Sequence, residues 1–398
     1  MMPYRSDLYI FLPCIVNGSF SSEDKASENM DMFINEMSAT SEYEFDKVMN
    51  KSLKRYRMGE ITLMCWSDGP DSVSMGEQKA FITASLFDRT DLCLMIIAVP
   101  EVEVSLTHLL DQASRGELTV KDNEKEMLLS EMIERFGLKI TGKAFCASCV
   151  SEFPKNEAGD IIAGEVHDES LSAHTDAKEI FALFGENRMQ YYHHDAYLSP
   201  FGVMYIVNDF VDDYAYRLKI ECLLIFIMEL VILKITAINA VKEDVVTALM
   251  EEKPSMEEVL KISEKFSKSM PLWDTNRFRY HVAQIFADRV ASSFRVPEYV
   301  EEYEKNQRFL EHMIRIKSLI TSEKSIVSSE MGRRALSLLV TVLAVLQFVP
   351  LLYSVIHHFV QGNGVSIEEI ISLFFSATLI VVLVYLLFGK GMLLRKEQ

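Results

Sequence analysis

Two long runs without a charged side chain close the chain, 335–356 (ALSLLVTVLAVLQFVPLLYSVI) and 370–388 (IISLFFSATLIVVLVYLLF). Each approaches the roughly 20 residues an α-helix needs to cross a bilayer core. Between them, 357–369 is polar and includes Gln361, Asn363, Glu368 and Glu369. The pattern predicts a two-span transmembrane hairpin joined by an outer loop. Arg333 and Arg334 precede the first run, Lys390, Arg395 and Lys396 follow the second, and the loop has neither Lys nor Arg. Basic flanks stay inside, so the chain is expected in the inner (plasma) membrane with both termini cytoplasmic.

Upstream, the apolar pattern alternates between strand-like and helix-like periods. Strands are expected over 7–16, 60–66, 81–86, 91–99, 138–150 and 203–207, and helices over 102–114 and 124–136, with a helix near 43–52. The run 91–99 (DLCLMIIAV) is apolar without a break, as in a strand covered on both faces. Residues 1–210 thus read as an α/β domain.

From 212 the period turns helical, and 212–250 predicts one long helix. Its middle is apolar enough to imitate a span, but Glu229 and Lys234 lie within it. Each such charge costs roughly 2.5–3.5 kcal/mol at a span centre, so the helix is expected inside a cytosolic bundle over 211–297. A stalk helix, 298–334, follows. Its apolar positions Tyr299, Tyr303, Leu310, Met313, Ile320 and Val327 form a seam suited to packing against copies of itself. It would run into the first span, and a basic tail, 389–398, ends the chain.

Composition narrows the function. The 398 residues carry a formal charge of −18. A field of that sign repels nucleic acid and attracts cations. The six cysteines lie mostly in apolar runs and predict reduced, packed thiols. Cys146 and Cys149 make a Cys-x-x-Cys with His167, His174, His193 and His194 downstream. Two Cys three apart on a strand face opposite ways, so no metal site is assigned. His193, His194 and Asp195 come with no nucleophile motif, and no enzyme is expected.

Two groups remain. In the first span Ser337, Thr341, Ala344, Gln347, Leu351 and Ser354 recur three or four apart, one helical stripe. Polar side chains at membrane depth face protein or water, so the stripe reads either as a pore lining or as tight helix packing. Gln361 and Asn363 would then sit at the outer mouth. Residues 271–280 (PLWDTNRFRY) concentrate Trp273, Asn276, Arg277, Arg279 and Tyr280. Aromatics beside Arg suit a nucleobase and its phosphate; a helix start packed on the bundle would look the same.

The local pattern Thr341-Val342-Leu343-Ala344 followed by Pro350-Leu351, with the layout above, resembles the CorA family of divalent-cation transporters. The resemblance implies a homopentameric funnel with the first span lining the pore, and a Mg²⁺-type divalent cation as cargo. The family's Gly-Met-Asn signature is missing: the corresponding stretch is about Phe359-Val360-Gln361. In that respect the chain is similar to CorA-like membrane effectors of type III CRISPR antiviral defence. The resemblance then implies a channel gated through the cytosolic domain by a nucleotide messenger, S-adenosylmethionine–AMP. A divalent-cation transporter with a diverged loop, and a membrane-anchored scaffold without a pore, stay open as alternatives.

Overall fold

The apolar runs of the first half pair into one sheet of eleven strands, described by a computed structural model. The described residues are 4–22, 27–45, 51–68, 73–88, 90–122, 125–155, 157–164, 188–191, 194–207, 210–250 and 277–309, with shorter stretches within 261–268, 311–315 and 338–381. The strands are β1 (Ser6–Val16), β2 (Leu53–Asp68), β3 (Val73–Phe87), β4 (Leu92–Val99), β5 (Thr119–Asp122), β6 (Lys125–Leu128), β7 (Leu138–Ile140), β8 (Phe145–Val150), β9 (Arg188–Tyr191), β10 (His194–Leu198) and β11 (Gly202–Ile206). The helices are α1 (Glu28–Glu44), α2 (Leu106–Arg115), α3 (Leu129–Arg135), α4 (Ala158–Ala163), α5 (Tyr214–Met250) and α6 (His281–Ser293). Residues 296–309 are helical as well.

The strand order is β6-β5-β2-β3-β4-β1-β8-β11-β10-β9, with β7 also on β1. Strands β8 and β11 run parallel, while β1–β4, β3–β4 and β2–β3 are antiparallel, so the sheet is mixed. Every side chain of β4 is buried, as a strand covered on both faces requires.

Alternation along the strands sends their residues to two helical layers. Leu8, Ile10 and Leu12 of β1 share one core with Leu106 and Leu109 of α2, Ile133 of α3 and Ile161 of α4. On the other face, the Tyr9 ring lies 6.0 Å from Phe33 of α1, and its hydroxyl reaches Glu221 of α5. A bulge between Arg57 and Gly59 shifts the β2 register against β3. Gly59 takes φ 122 there, a conformation that side chains with a Cβ rarely adopt. Before the bulge Arg55 faces α5; beyond it Ile61, Leu63 and Cys65 face the α2 layer.

Helix α1 is a difference from expectation. The sequence suggests a loop with a helix near 43–52, whereas the helix ends at Glu44. Ser27 caps it, accepting from the Met30 amide, and Met30, Phe33, Met37 and Ser41 form its buried stripe. The helix expected over 124–136 is shorter, because 125–128 pairs with β5 as edge strand β6. The Tyr/His-rich stretch after residue 187 forms the hairpin β9–β10. Within the segment expected as a helical bundle, 211–297, a second described helix runs from His281 to Ser293.

The chain divides into two compact units, Met1–Glu311 and His312–Gln398. The second unit requires a correction. Among the described residues no helix is long and apolar enough to cross a membrane. A span needs a continuous apolar helix about 30 Å long, and the described residues supply none. The C-terminal two-span hairpin, the CorA-like funnel drawn through it and the inner-membrane placement are therefore not carried by the structure. Most of 335–356 and 370–388, with the stalk beyond 315, lies outside the described residues. The described residues of this unit include exposed apolar side chains, Tyr353 at 70%, Phe374 at 73% and Phe375 at 76%.

Candidate ligand-binding cleft

Helix α5 carries charged residues of opposite fates. Arg217, Glu221 and Glu229 are fully buried. The Arg217 guanidinium grips Asp7 through Nε at 2.7 Å and Nη2 at 3.1 Å. Its Nη1 donates to Glu101 at 3.1 Å and to the carbonyls of Val211 and Asp212 at 2.7 and 3.1 Å. Asp7 also accepts the Glu101 amide at 2.7 Å. Glu101 takes φ 51, unusual for a residue with a side chain, at the turn that makes this contact. Glu221 accepts from the Tyr9 hydroxyl at 2.6 Å. Burial pushes its carboxyl well above the usual carboxylate range, and the Asp7 charge pushes the same way. Burial raises the Asp7 carboxyl as well, with the Arg217 guanidinium opposing.

Glu229 pairs with Arg55 of β2 at 3.2 and 2.5 Å and accepts from the Ser85 hydroxyl. A carboxylate in the apolar middle of α5 is thus neutralised by the sheet. Lys234 lies in a hollow with Asp288, Glu301 and Glu304; burial lowers its pKa, and the Asp288 charge opposes this. The Arg217 and Arg55 ion pairs are buried, and they tie α5 to the sheet.

The open site lies on the outer side of the same helix. A cleft of about 450 Å³ is lined by Thr40, Tyr43 and Glu44 of α1, His194 and Tyr205 of β10 and β11, and Lys219 of α5. Positions three and four apart on α1 share a face, as do Lys219 and Leu223 on α5. His194 and Tyr205 lie on one face of the β10–β11 pair with rings 5.3 Å apart. Tyr43 is 60% exposed, and its ring lies 5.5 Å from that of Tyr280 at 32°. The Tyr280 hydroxyl donates to that of Tyr43 at 2.8 Å, and the Arg279 amide donates to the Glu44 carbonyl at 2.8 Å. Phe278 fixes this junction from beneath, its ring 4.8 Å from Phe45.

The arrangement offers aromatic faces, a Lys ammonium, the nearby Arg279 and a carboxyl within one concave surface. Such a set suits a ligand with a flat heteroaromatic part and an anionic part.

The structure brings Arg279 and Tyr280 to the rim of this cleft. Arg277 is half-buried beside them, while Trp273 and Asn276 lie outside the described residues. Of the residues expected along the first span, Ser354 is helical; Ser337, Thr341, Ala344, Gln347 and Leu351, and Gln361 and Asn363 of the outer loop, lie outside the described residues. Cys146 and Cys149 are buried on opposite faces of β8, Cys146 in the α2-side core and Cys149 beside Glu221. Burial pushes the Cys146 thiol up to about 12. Among the described residues, no group of three or more His, Cys, Asp or Glu could hold a metal ion. His167, His174 and His193 lie outside the described residues. The pattern reading missed Tyr43, Glu44, Tyr205 and Lys219. Three distant segments supply them, and the one local signal was the α1 stripe that turns Thr40 and Tyr43 to one side.

No family model matches the chain, and neither a curated protein nor a solved structure does. The transporter and channel vocabulary of the CorA resemblance therefore has no family match to rest on.

Proposed function

We propose that the chain is a binding protein that responds to a nucleotide messenger, taken up by the Met1–Glu311 unit in the cleft between α1, α5 and the β10–β11 hairpin. The observation that carries this reading is the meeting of Tyr280 and Arg279 with Tyr43 and Glu44 at the rim of a cleft that also holds Lys219. An exposed aromatic pair gives a base a surface to stack on. Lys219 supplies the positive charge that a phosphate requires in a chain of net charge −18. The closed clusters Asp7–Arg217–Glu221 and Arg55–Glu229 hold α5 to the sheet, so the ligand meets a rigid wall. An adenine nucleotide is the ligand of choice, and S-adenosylmethionine–AMP, the messenger named by the resemblance, belongs to that class.

Calorimetric titration of the full chain with ADP and with S-adenosylmethionine–AMP tests the reading. Saturable binding is expected, weakened about tenfold by Lys219→Glu and by Tyr43→Ala, since each loses a contact of order 1.4 kcal/mol. No binding of either nucleotide, or binding indifferent to both substitutions, would contradict it.

A further inference from the structure

A second hollow, of about 380 Å³, lies between α5, α6 and the helical residues 296–309. Lys234 lines it from the apolar middle of α5, where Leu233 and Ile235 on either side are buried. Of the two charged residues in that middle, Glu229 is sealed against Arg55. The Lys234 side chain is instead half-buried, at the wall of a space that a small molecule can enter. Three carboxylates line the same space, Asp288 of α6 and Glu301 and Glu304 of the helix after it. Glu301 and Glu304 are each engaged by a cation one turn on, Lys305 at 2.8 Å and Arg308 at 3.0 Å. Asp288 is the carboxylate whose charge acts on Lys234. Ala291, Val296 and Val300 give the hollow an apolar side. Burial favours the neutral form of the Lys234 amine, against the pull of Asp288. A neutral amine, a carboxylate to carry protons and an apolar wall for a carbon chain are together what addition to a carbonyl group needs.

We propose that Lys234 is a reactive amine that forms an imine with small aliphatic aldehydes entering this hollow. The inference is independent of the nucleotide reading and concerns a different stretch of α5. The amine lone pair forms the C–N bond as the carbonyl π pair moves to oxygen. A carboxylate carries one proton from nitrogen to that oxygen. A second proton, taken up from solvent, lets the hydroxyl leave as water while the nitrogen pair closes the C=N bond. Amine, aldehyde and one proton thus become a protonated imine and water, with nothing oxidised or reduced. Three carboxylates against one ammonium make the walls acidic, which suits an uncharged aldehyde and disfavours an anionic one.

The test sets the lysines of the full-length wild-type chain in competition for one probe. Butanal is added with sodium cyanoborohydride, whose hydride reduces each imine to a stable secondary amine, and the alkylated lysines are located by peptide mass spectrometry. At about pH 7 an ordinary lysine is almost wholly protonated, so few of its amines can add to the carbonyl. Lys234 is expected to be alkylated at least about tenfold faster than the exposed Lys219. The same reaction in denaturing urea is expected to show the two lysines alkylated at equal rates, because the hollow is then gone. Alkylation of Lys234 no faster than that of Lys219 in the folded chain overturns the proposal. A preference that persists in urea overturns it as well, since the cause would then lie in the local sequence and not in the hollow.

Discussion

Two sites share the first turns of α5 and behave in opposite ways. On the inner side, Arg217 and Glu221 are sealed against the sheet, where Asp7, Glu101 and Tyr9 answer them at 2.6–3.1 Å. On the outer side, two residues from either of them, Lys219 stands exposed in a cleft with Tyr43 and Glu44. Charge alone does not separate the two. A buried charge held by protein groups contributes to the fold, whereas one that stands exposed in an open concavity is available to a ligand. The same helix anchors the sheet with one side and builds a recognition surface with the other.

The comparison breaks most visibly at Arg217. Arg217→Met leaves Asp7 buried without its cation and is expected to cost about 3–5 kcal/mol, read by urea denaturation. A loss below about 1 kcal/mol would show that the inner cluster does not hold α5. Arg55→Met strands Glu229 in the same way, with an expected loss of about 3 kcal/mol.

A pH dependence sharpens the contrast. Glu221 holds its proton more tightly in the folded than in the unfolded chain. Its contribution is therefore complete below the ordinary carboxylate range, about pH 4.3, and is lost as pH rises toward the folded value. Stability is expected to decline as pH rises above the ordinary carboxylate range, and Glu221→Gln to flatten that decline, read by urea denaturation across pH. A profile unchanged in the variant would place the proton elsewhere. On the outer side, Lys219→Glu is expected to alter stability by less than about 0.5 kcal/mol while abolishing most nucleotide affinity.

Strand β4 was legible because eight consecutive buried side chains need no partner to identify them. The length of α5 was legible for a similar reason, and so was its burial within protein, since Glu229 and Lys234 argue against lipid. The partner of Glu229 was not: Arg55 lies 174 residues away and meets it only once β2 is placed in the sheet. Helix α1 was hidden because its stripe is built from Met and Phe within an acidic, serine-rich stretch. The β9–β10 hairpin was hidden because Tyr and His make a poor alternation. The C-terminal runs show the opposite case: hydropathy reports what side chains prefer, and among the described residues no helix is long and apolar enough to cross a membrane. At the cleft, the Arg and aromatic residues of 277–280 were visible as composition. The wall facing them comes from α1, with Tyr43 237 residues from Tyr280, and from the β10–β11 pair and α5, and only folding assembles it.

Hydrogen exchange of the full-length chain with and without saturating ADP tests the central claim most directly. The account predicts slowed exchange at the C-terminal turn of α1 and around 277–284, with the already closed centre of α5 unchanged. Slowing confined to other parts of the chain, or no change at any ADP concentration, would contradict it.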